Sequence, residues 1–196
     1  MLQVDRIVNS IFDSITWLLS VTESNQVWLV DCGDIAPILE KIKGKTVSGV
    51  LLTHAHFDHI YGLPELMSHF PECRIYTNEA GLIALADARK NMSLYHERPI
   101  IVDGKPVIVC HEGDEIILFP DVSACIYETP GHHPSCLTFK VEDYLFTGDT
   151  YIPGVKVVTN LPGGNKEKAK ASKERIEAMM TSHQICAGHS QKENCL

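Results

Sequence analysis

Two apolar stretches near the start of the chain, ITWLLSV (15–21) and QVWLVD (26–31), are rich in β-branched and aromatic residues. They are separated by TESN, whose Ser24 and Asn25 suit a hairpin loop, so the pair predicts two adjacent strands. Apolar residues then recur at Ile35, Ile38, Leu39 and Ile42, a helical spacing, with Asp34 as the candidate N-cap and Gly44 as the stop. VSGVLLT (47–53) follows as a buried strand. Helices are predicted near GLPELMSHF (62–70), with Pro64 in its first turn, and near NEAGLIALADARK (78–90), with Asn78 as its cap. CRIYT (73–77) forms a strand between them.

From residue 100 the pattern changes to short β-type runs broken by Gly, Pro and Asp: KPVIVC, DEIILF, VSACIYET, SCLTFKV and DYLFTGD. A last helix over 166–181 leads into the short strand QICAG (184–188). Strand–helix–strand at the front, a β meander in the middle and a helix–strand finish predict an α/β (α+β) chain with two packed sheets and helices outside. No internal repeat, long linker or low-complexity tract interrupts it.

Length and composition narrow the classes. At 196 residues, 44% apolar and 21% charged, the chain is expected to fold as one domain over 1–196. No window approaches the roughly 18 uninterrupted apolar residues of a membrane span, and MLQVDRIVNS lacks a basic segment followed by an apolar core. A cytoplasmic location is therefore expected, with no membrane partner. Seven cysteines, at 32, 73, 110, 125, 136, 186 and 195, form no C-x-x-C pair, which predicts reduced and mostly buried thiols. The net charge of −8 opposes a phosphate backbone. The one lysine-rich stretch, NKEKAKASKER, is interspersed with glutamates and reads as a solvated helix face. A small-molecule substrate is expected, nucleic acid is disfavoured, and the oligomeric state is left open.

The chemistry gathers at strand ends. SGVLLT runs into His54, CIYETPG into His132, YLFTG into Asp149 and QICAG into His189, each through small or turn residues. Ends that share a rim would bring these side chains together on loops held by a rigid scaffold. Within THAHFDH (53–59), His54 and His56 lie two apart in extended chain and point the same way, while Asp58 and His59 sit past a bend. A zinc-like ion takes about four ligands, so one ion cannot use the whole set. Two ions can, with His54, His56 and His132 on the first, Asp58, His59 and His189 on the second, and Asp149 shared between them. The expected cofactor is a pair of divalent ions, zinc first, with iron or manganese also compatible with these donors. Two such ions roughly 3.5–4 Å apart acidify a water and stabilise charge on attacking and leaving oxygens, so hydrolysis is the predicted reaction. Asp58 has a second expected role, in proton transfer.

This constellation resembles the metallo-β-lactamase superfamily. Its H-x-H-x-D-H hallmark is met as His54-Ala-His56-Phe-Asp58-His59, its later ligands as His132 in TPGHHPSC, Asp149 in FTGDT and His189 in AGHS. VWLVDCGD (27–34) is similar to the family's strand ending in Asp-x-Gly. The resemblance implies a four-layer αββα metallo-β-lactamase sandwich with a dinuclear site at the sheet edges. Asp58 and His59 with a bridging Asp149 resemble the glyoxalase II (hydroxyacylglutathione hydrolase) type of site, whereas true β-lactamase branches lack that aspartate and flavo-diiron proteins carry glutamate where His56 stands. The chain departs from the glyoxalase pattern T-P-G-H-T-P-G-S at His133, Ser135 and Cys136, and the loop YIPGVKVVTNLPGGNK lacks that group's glycine-arginine segment. Glyoxalase II proper also carries a helical glutathione-binding domain, while seven residues follow His189 here.

The expected function is a dinuclear hydrolase in which a metal-bridging hydroxide attacks an ester- or thioester-like substrate. The alternatives are a mononuclear iron persulfide dioxygenase, against which the retention of Asp58, His59 and His189 argues, and a lactonase or phosphodiesterase of the same superfamily. His133, Cys136 and Lys156 are left without assigned roles. His69, His96, His111 and His183 have no motif partners and read as surface or core residues.

Overall fold

A computed structural model describes residues 1–96, 98–104 and 106–190. The first sheet comprises β1 (Leu2–Val8), β2 (Ile15–Val21), β3 (Gln26–Val30), β4 (Thr46–Leu51), β5 (Arg74–Thr77) and β6 (Val107–Val109), adjacent in that order. Its first three strands are antiparallel and the rest run parallel from β3 onward. Helices α1 (Ile35–Ile42), α2 (Leu63–His69) and α3 (Glu79–Leu85) make the parallel connections. The second sheet contains β7 (Glu115–Phe119), β8 (Val122–Glu128), β9 (Leu137–Val141), β10 (Tyr144–Gly148) and β11 (Gln184–Ala187), in the order β11-β10-β9-β8-β7. Helix α4 (Lys166–Met179) connects β10 to β11.

Alternation along the central strands explains the layering. Leu19, Trp28, Val30 and Leu51 pack with Ile126, Leu137, Phe139 and Phe146 between the sheets. Their neighbours Leu18, Leu29, Val50 and Leu52 face the other way and pack with Ile38, Leu63 and Leu66 of the helices. Both faces of the first sheet are thus apolar, so β2, β3 and β4 read as near-continuous hydrophobic runs rather than alternating ones. Each fully buried Leu, Ile or Phe contributes about 1.5–3 kcal/mol, and this interior holds the rim where the polar residues collect. On the outer side of the second sheet, the Arg175 guanidinium of α4 lies 4.9 Å over the Tyr127 ring and donates to Glu112 Oε2 at 3.0 Å. The order is helices, sheet, sheet, helix, the expected αββα sandwich.

Topology also sets which strand ends meet. β8 and β10 are both antiparallel to β9, and β11 is parallel to β10, so β8, β10 and β11 all finish at one edge. Strand β4 finishes at the same edge, because Leu137 N–H at the start of β9 donates to the Thr53 carbonyl at 2.7 Å. Trp17 Nε1–H donates to the Ala187 carbonyl at 3.0 Å and Ile15 N–H to the Gly188 carbonyl at 2.7 Å, tying β11 to β2 across the sandwich.

Local expectations hold in most places and fail in a few. Asn78 caps α3, accepting from Gly81 N–H at 2.9 Å, and Lys43 and Gly44 close α1 at φ 50° and 85°. Asp34 stands at the N-cap position of α1, but its side chain does not cap that helix. It accepts instead from Ser10 N–H at 2.7 Å, Ser10 Oγ–H at 2.9 Å and Tyr61 O–H at 2.7 Å. Helix α3 stops at Leu85, short of the predicted Lys90, because Asp87 turns the chain by accepting from Arg89 N–H at 2.9 Å. The last helix likewise ends at Met179, followed by a 3-10 turn at Met180–Ser182. Strand β1 has no prominent apolar alternation and forms because it pairs with β2 over its whole length, from Leu2 opposite Val21 to Val8 opposite Ile15.

The described cysteines are free and all buried except Cys125, which is half-buried. Burial pushes the thiols of Cys73, Cys136 and Cys186 up to about 12. Cys195 lies outside the described residues. No helix among the described residues is long and apolar enough to cross a membrane.

Candidate metal centre

Beyond β4 the chain continues through Leu52 and Thr53 to His54, which is fully buried. His56 is extended at φ −72° and ψ 150°, and a single 3-10 turn, Phe57–His59, then reverses the direction of the backbone. That bend turns Asp58 and His59 towards the same point from a different side. His132 follows β8 by four residues, Asp149 is the first residue after β10, and His189 comes two residues after β11. All seven residues expected to bind metal meet at this edge.

They meet as three interlocking triads. Ligand-type atoms of His54, His56 and His132 lie within 4.8 Å of one another, as do those of Asp58, His59 and His189, and those of His54, His59 and Asp149. Asp149 stands between the first two groups: its carboxylate is 3.6 Å from His132 Nε2, 3.5 Å from His59 Nε2 and 3.2 Å from His189 Nε2. Asp58 Oδ2 lies 3.3 Å from His189 Nε2 and 3.6 Å from His59 Nε2.

The other ring nitrogens fix the tautomers. His59 Nδ1 is 2.8 Å from Asp31 Oδ2, His132 Nδ1 is 2.9 Å from the Val158 carbonyl and His189 Nδ1 is 2.9 Å from the Phe12 carbonyl. Carboxylates and carbonyls only accept, so each Nδ1 carries the proton and each Nε2 turns to the centre. Asp31 is the most buried of these holders at 2% exposure, and it also accepts from Thr53 N–H at 2.8 Å and Thr53 Oγ–H at 2.7 Å. It adopts a left-handed φ of 59°, a conformation uncommon outside glycine and tolerated best by Asn and Asp.

The donor set fits a cation. His54 Nε2 and Asp149 Oδ1 are buried with no hydrogen-bond partner among the described residues, and His56 turns its Nδ1 to the cluster, 2.9 Å from His132 Nε2, an arrangement that costs free energy unless something electropositive meets the lone pairs. Burial and neighbouring imidazoles hold His54 well below its ordinary value and His56 down to about 3, so both are neutral donors. Burial would raise the carboxyls of Asp58 and Asp149, but His59 and His189 outweigh it and keep both low. Burial would lower His59 and His189, but Asp58 and Asp149 hold both up, His189 to about 10. A metal taking these nitrogens displaces protons, the ordinary coupling of metal binding to ligand ionisation.

Glycine is required where β10 and β11 end. A methyl group on Gly188 would lie 2.3 Å from Asp149 Oδ1 and 2.9 Å from His59 Cε1. Gly188→Ala is therefore expected to lower metal affinity about tenfold, the small end of the range for groups that orient ligands, with an unaltered far-ultraviolet circular dichroism spectrum. A titration with competing chelator reads the affinity.

Other sequence candidates take definite places. His133 is buried beside the cluster, its ring 4.8 Å from that of His56 and its Nδ1 2.6 Å from Ser135 Oγ. Burial and His132 hold it down to about 4. Ser135 Oγ also accepts from Ala55 N–H at 3.0 Å, so this pair braces the His54–His56 segment. Cys136 Sγ accepts from His133 N–H at 3.3 Å within its own loop, and Cys186 packs between the sheets. Lys156 lines a small recess beside His132 and Asp149. Residues not singled out as functional also contribute to the site, among them Asp31, Phe12, Val158 and His96. His96 lines the cavity over the cluster, its ring 4.7 Å from that of Phe57. Only Asp31 carried a signal, in the Asp-x-Gly ending of its strand.

A family model described as the metallo-β-lactamase superfamily matches residues 16–189. The hydroxyacylglutathione hydrolase of Tolumonas auensis is 28% identical over 200 residues, covering 100% of this chain and 68% of that protein. The hydroxyacylglutathione hydrolase of Xylella fastidiosa is 33% identical over 175 residues, covering 88% of this chain and 58% of that protein. The chain thus spans about three fifths to two thirds of the length of these two relatives. Among solved structures, the BLEG-1 B3 metallo-β-lactamase superposes with a TM-score of 0.85 at 22% identity, over 96% of this chain and 92% of that one. TTHA1623, in a di-iron-bound form, superposes at 0.80 and 23% identity, over 96% and 93%. ETHE1 from Myxococcus xanthus does so at 0.75 and 19%, over 98% and 77%. These structural likenesses carry the fold.

Proposed function

The chain belongs to the metallo-β-lactamase superfamily, and we propose that it is a dinuclear hydrolase of that superfamily acting on a small ester or thioester. The observation that carries this reading is the position of Asp149 between two histidine-containing triads, within 3.6 Å of His132 and 3.5 Å of His59. In this reading His54, His56 and His132 hold one divalent ion, Asp58, His59 and His189 hold the other, and Asp149 serves both. Zinc suits the imidazole and carboxylate donors, and iron and manganese share them. Two such ions, when bound, polarise the substrate's carbonyl and supply a nucleophile by acidifying water.

The chain's own groups orient and move protons. Asp31, the Val158 carbonyl and the Phe12 carbonyl hold His59, His132 and His189 with Nε2 facing the centre. Asp58, whose carboxylate lines the cavity and is kept ionised, accepts the proton released by the attacking water and returns it to the departing thiolate or alkoxide. The new bond joins the water oxygen to the acyl carbon, the acyl C–S or C–O bond breaks, and a carboxylate and a thiol or alcohol leave, with water's second proton released to solvent. The compact Asp58–His59–His189 triad supports two ions over the single iron of a persulfide dioxygenase.

Elemental analysis of protein prepared without chelators tests the count. Two equivalents of transition metal are expected, and clearly less than one rejects the reading. Metal-replete protein is also expected to melt higher than chelator-treated protein, since ligand at a thousandfold excess over its Kd adds about 4 kcal/mol to the folded state. Scanning calorimetry of the two preparations reads the difference. A panel of thioesters, esters, lactones and phosphodiesters then separates the hydrolytic classes.

A further inference from the structure

A cavity of about 400 Å³ opens over the cluster, reaching Asp58, His132, Asp149 and His189 at its floor. Its walls are Phe12, Phe57, Met92, Tyr95, Val158 and Leu161, with His96, and among the described residues no Lys or Arg lines it. Phe12 is 65% exposed, Tyr95 73% and Val158 45%. Large apolar side chains collected at the mouth of one cavity mark a surface that meets a ligand.

Phe12 carries the argument further. It adopts a left-handed φ of 56°, followed by Asp13 at 53°, a conformation that bulky side chains rarely take. No burial compensates for it. Yet the Phe12 carbonyl accepts from His189 Nδ1–H at 2.9 Å and the Asp13 carbonyl from Ser190 N–H at 3.1 Å, so the same turn both holds a histidine of the cluster and hangs an aromatic ring over it. That ring meets Phe57 edge-on at 5.6 Å, and Phe57 in turn lies 4.7 Å from His96, giving a continuous aromatic wall. Strain held at a site is a pointer to function.

Resting on the hydrolase reading above, we propose that this wall is the acyl-binding subsite and that the substrate presents an uncharged, apolar acyl group, aliphatic or aromatic, to Phe12, Phe57 and Tyr95. Its carbonyl then lies over the Asp58–Asp149 floor. Among the described residues these walls offer an acyl carboxylate no lysine or arginine to pair with.

Acyl thioesters of N-acetylcysteamine from acetyl to octanoyl keep the leaving group constant and read the subsite in metal-loaded protein. The expected kcat/KM rises about fourfold per added methylene until the cavity is filled. Tyr95→Ser and Phe12→Ser are each expected to lower the hexanoyl-to-acetyl ratio about tenfold, while Ile117→Ser, exposed on β7, leaves it unchanged. Binding of the carboxylate products, measured by calorimetry, reads the subsite without turnover: hexanoate and 3-phenylpropanoate are expected to bind at least tenfold more tightly than acetate. A flat or falling chain-length series, product affinities indifferent to length, or an unaltered ratio in both wall variants overturns the acyl subsite. Length-dependent product binding with no turnover of any thioester or of the matching oxygen esters supports the subsite and overturns the hydrolytic reading.

Discussion

Replacing Asp149 with Asn is expected to reduce kcat/KM by about a thousandfold or more and to lower the bound metal from two equivalents towards one. A group that only orients a ligand costs about 10–100-fold in affinity or activity when removed, and in the proposed dinuclear site a shared ligand should cost more because both ions would depend on it. Asp149 is held well below the ordinary carboxylate range by His59 and His189, so it is ionised throughout the neutral range and both oxygens face the centre. An amide has similar shape but no charge, and it presents an N–H pair where a lone pair is required. Kinetics and elemental analysis on the same sample check the prediction. A variant retaining two metals and the wild-type rate would remove Asp149 from its place between the triads.

The second large effect is expected at Asp31, which touches no part of the cavity. Its Oδ2 accepts from His59 Nδ1–H and from Thr53 Oγ–H, its Oδ1 from Thr53 N–H. In Asp31→Asn the amide nitrogen replaces one of these acceptors, and if it faces His59 the imidazole must move its proton to Nε2. That nitrogen then points an N–H where it should offer a lone pair. Loss of metal affinity and rate of up to about 100-fold follows, with little loss of fold because Asn also tolerates the left-handed backbone that residue 31 adopts. Asp31→Ala is expected to add destabilisation, about 1–3 kcal/mol for each buried donor of Thr53 and His59 left without a partner. Urea denaturation separates the two variants. Equal stability of both, or undiminished metal affinity in Asp31→Asn, would show that His59 is positioned by packing alone.

These two residues differ in how much of their role can be read along the chain. Asp149 ends an apolar run in the same manner as the segments leading to His54, His132 and His189, so its chemistry is visible in its context. Asp31 ends a strand too, but its partner lies 28 residues away, and nothing between Asp31 and His59 specifies that the two side chains touch.

Local order along the chain determined the sandwich, the strand ends that lead to His54, His132, Asp149 and His189 and the bend inside THAHFDH, because periodicity and turn chemistry depend on near neighbours. The same is true of the Asn78 cap and of the stop at Gly44. Only the tertiary structure decided that Asp34 ties Ser10 to Tyr61 rather than capping α1, that α3 halts at Leu85, and that β1 joins the sheet edge. It alone decided that Asp31 aims His59 and that Phe12, Tyr95 and His96 close over the cluster. A side chain's hydrogen-bond partner and the cavity it faces are set by which distant segment packing delivers, and that choice is made by the whole sandwich rather than by any stretch of sequence within it.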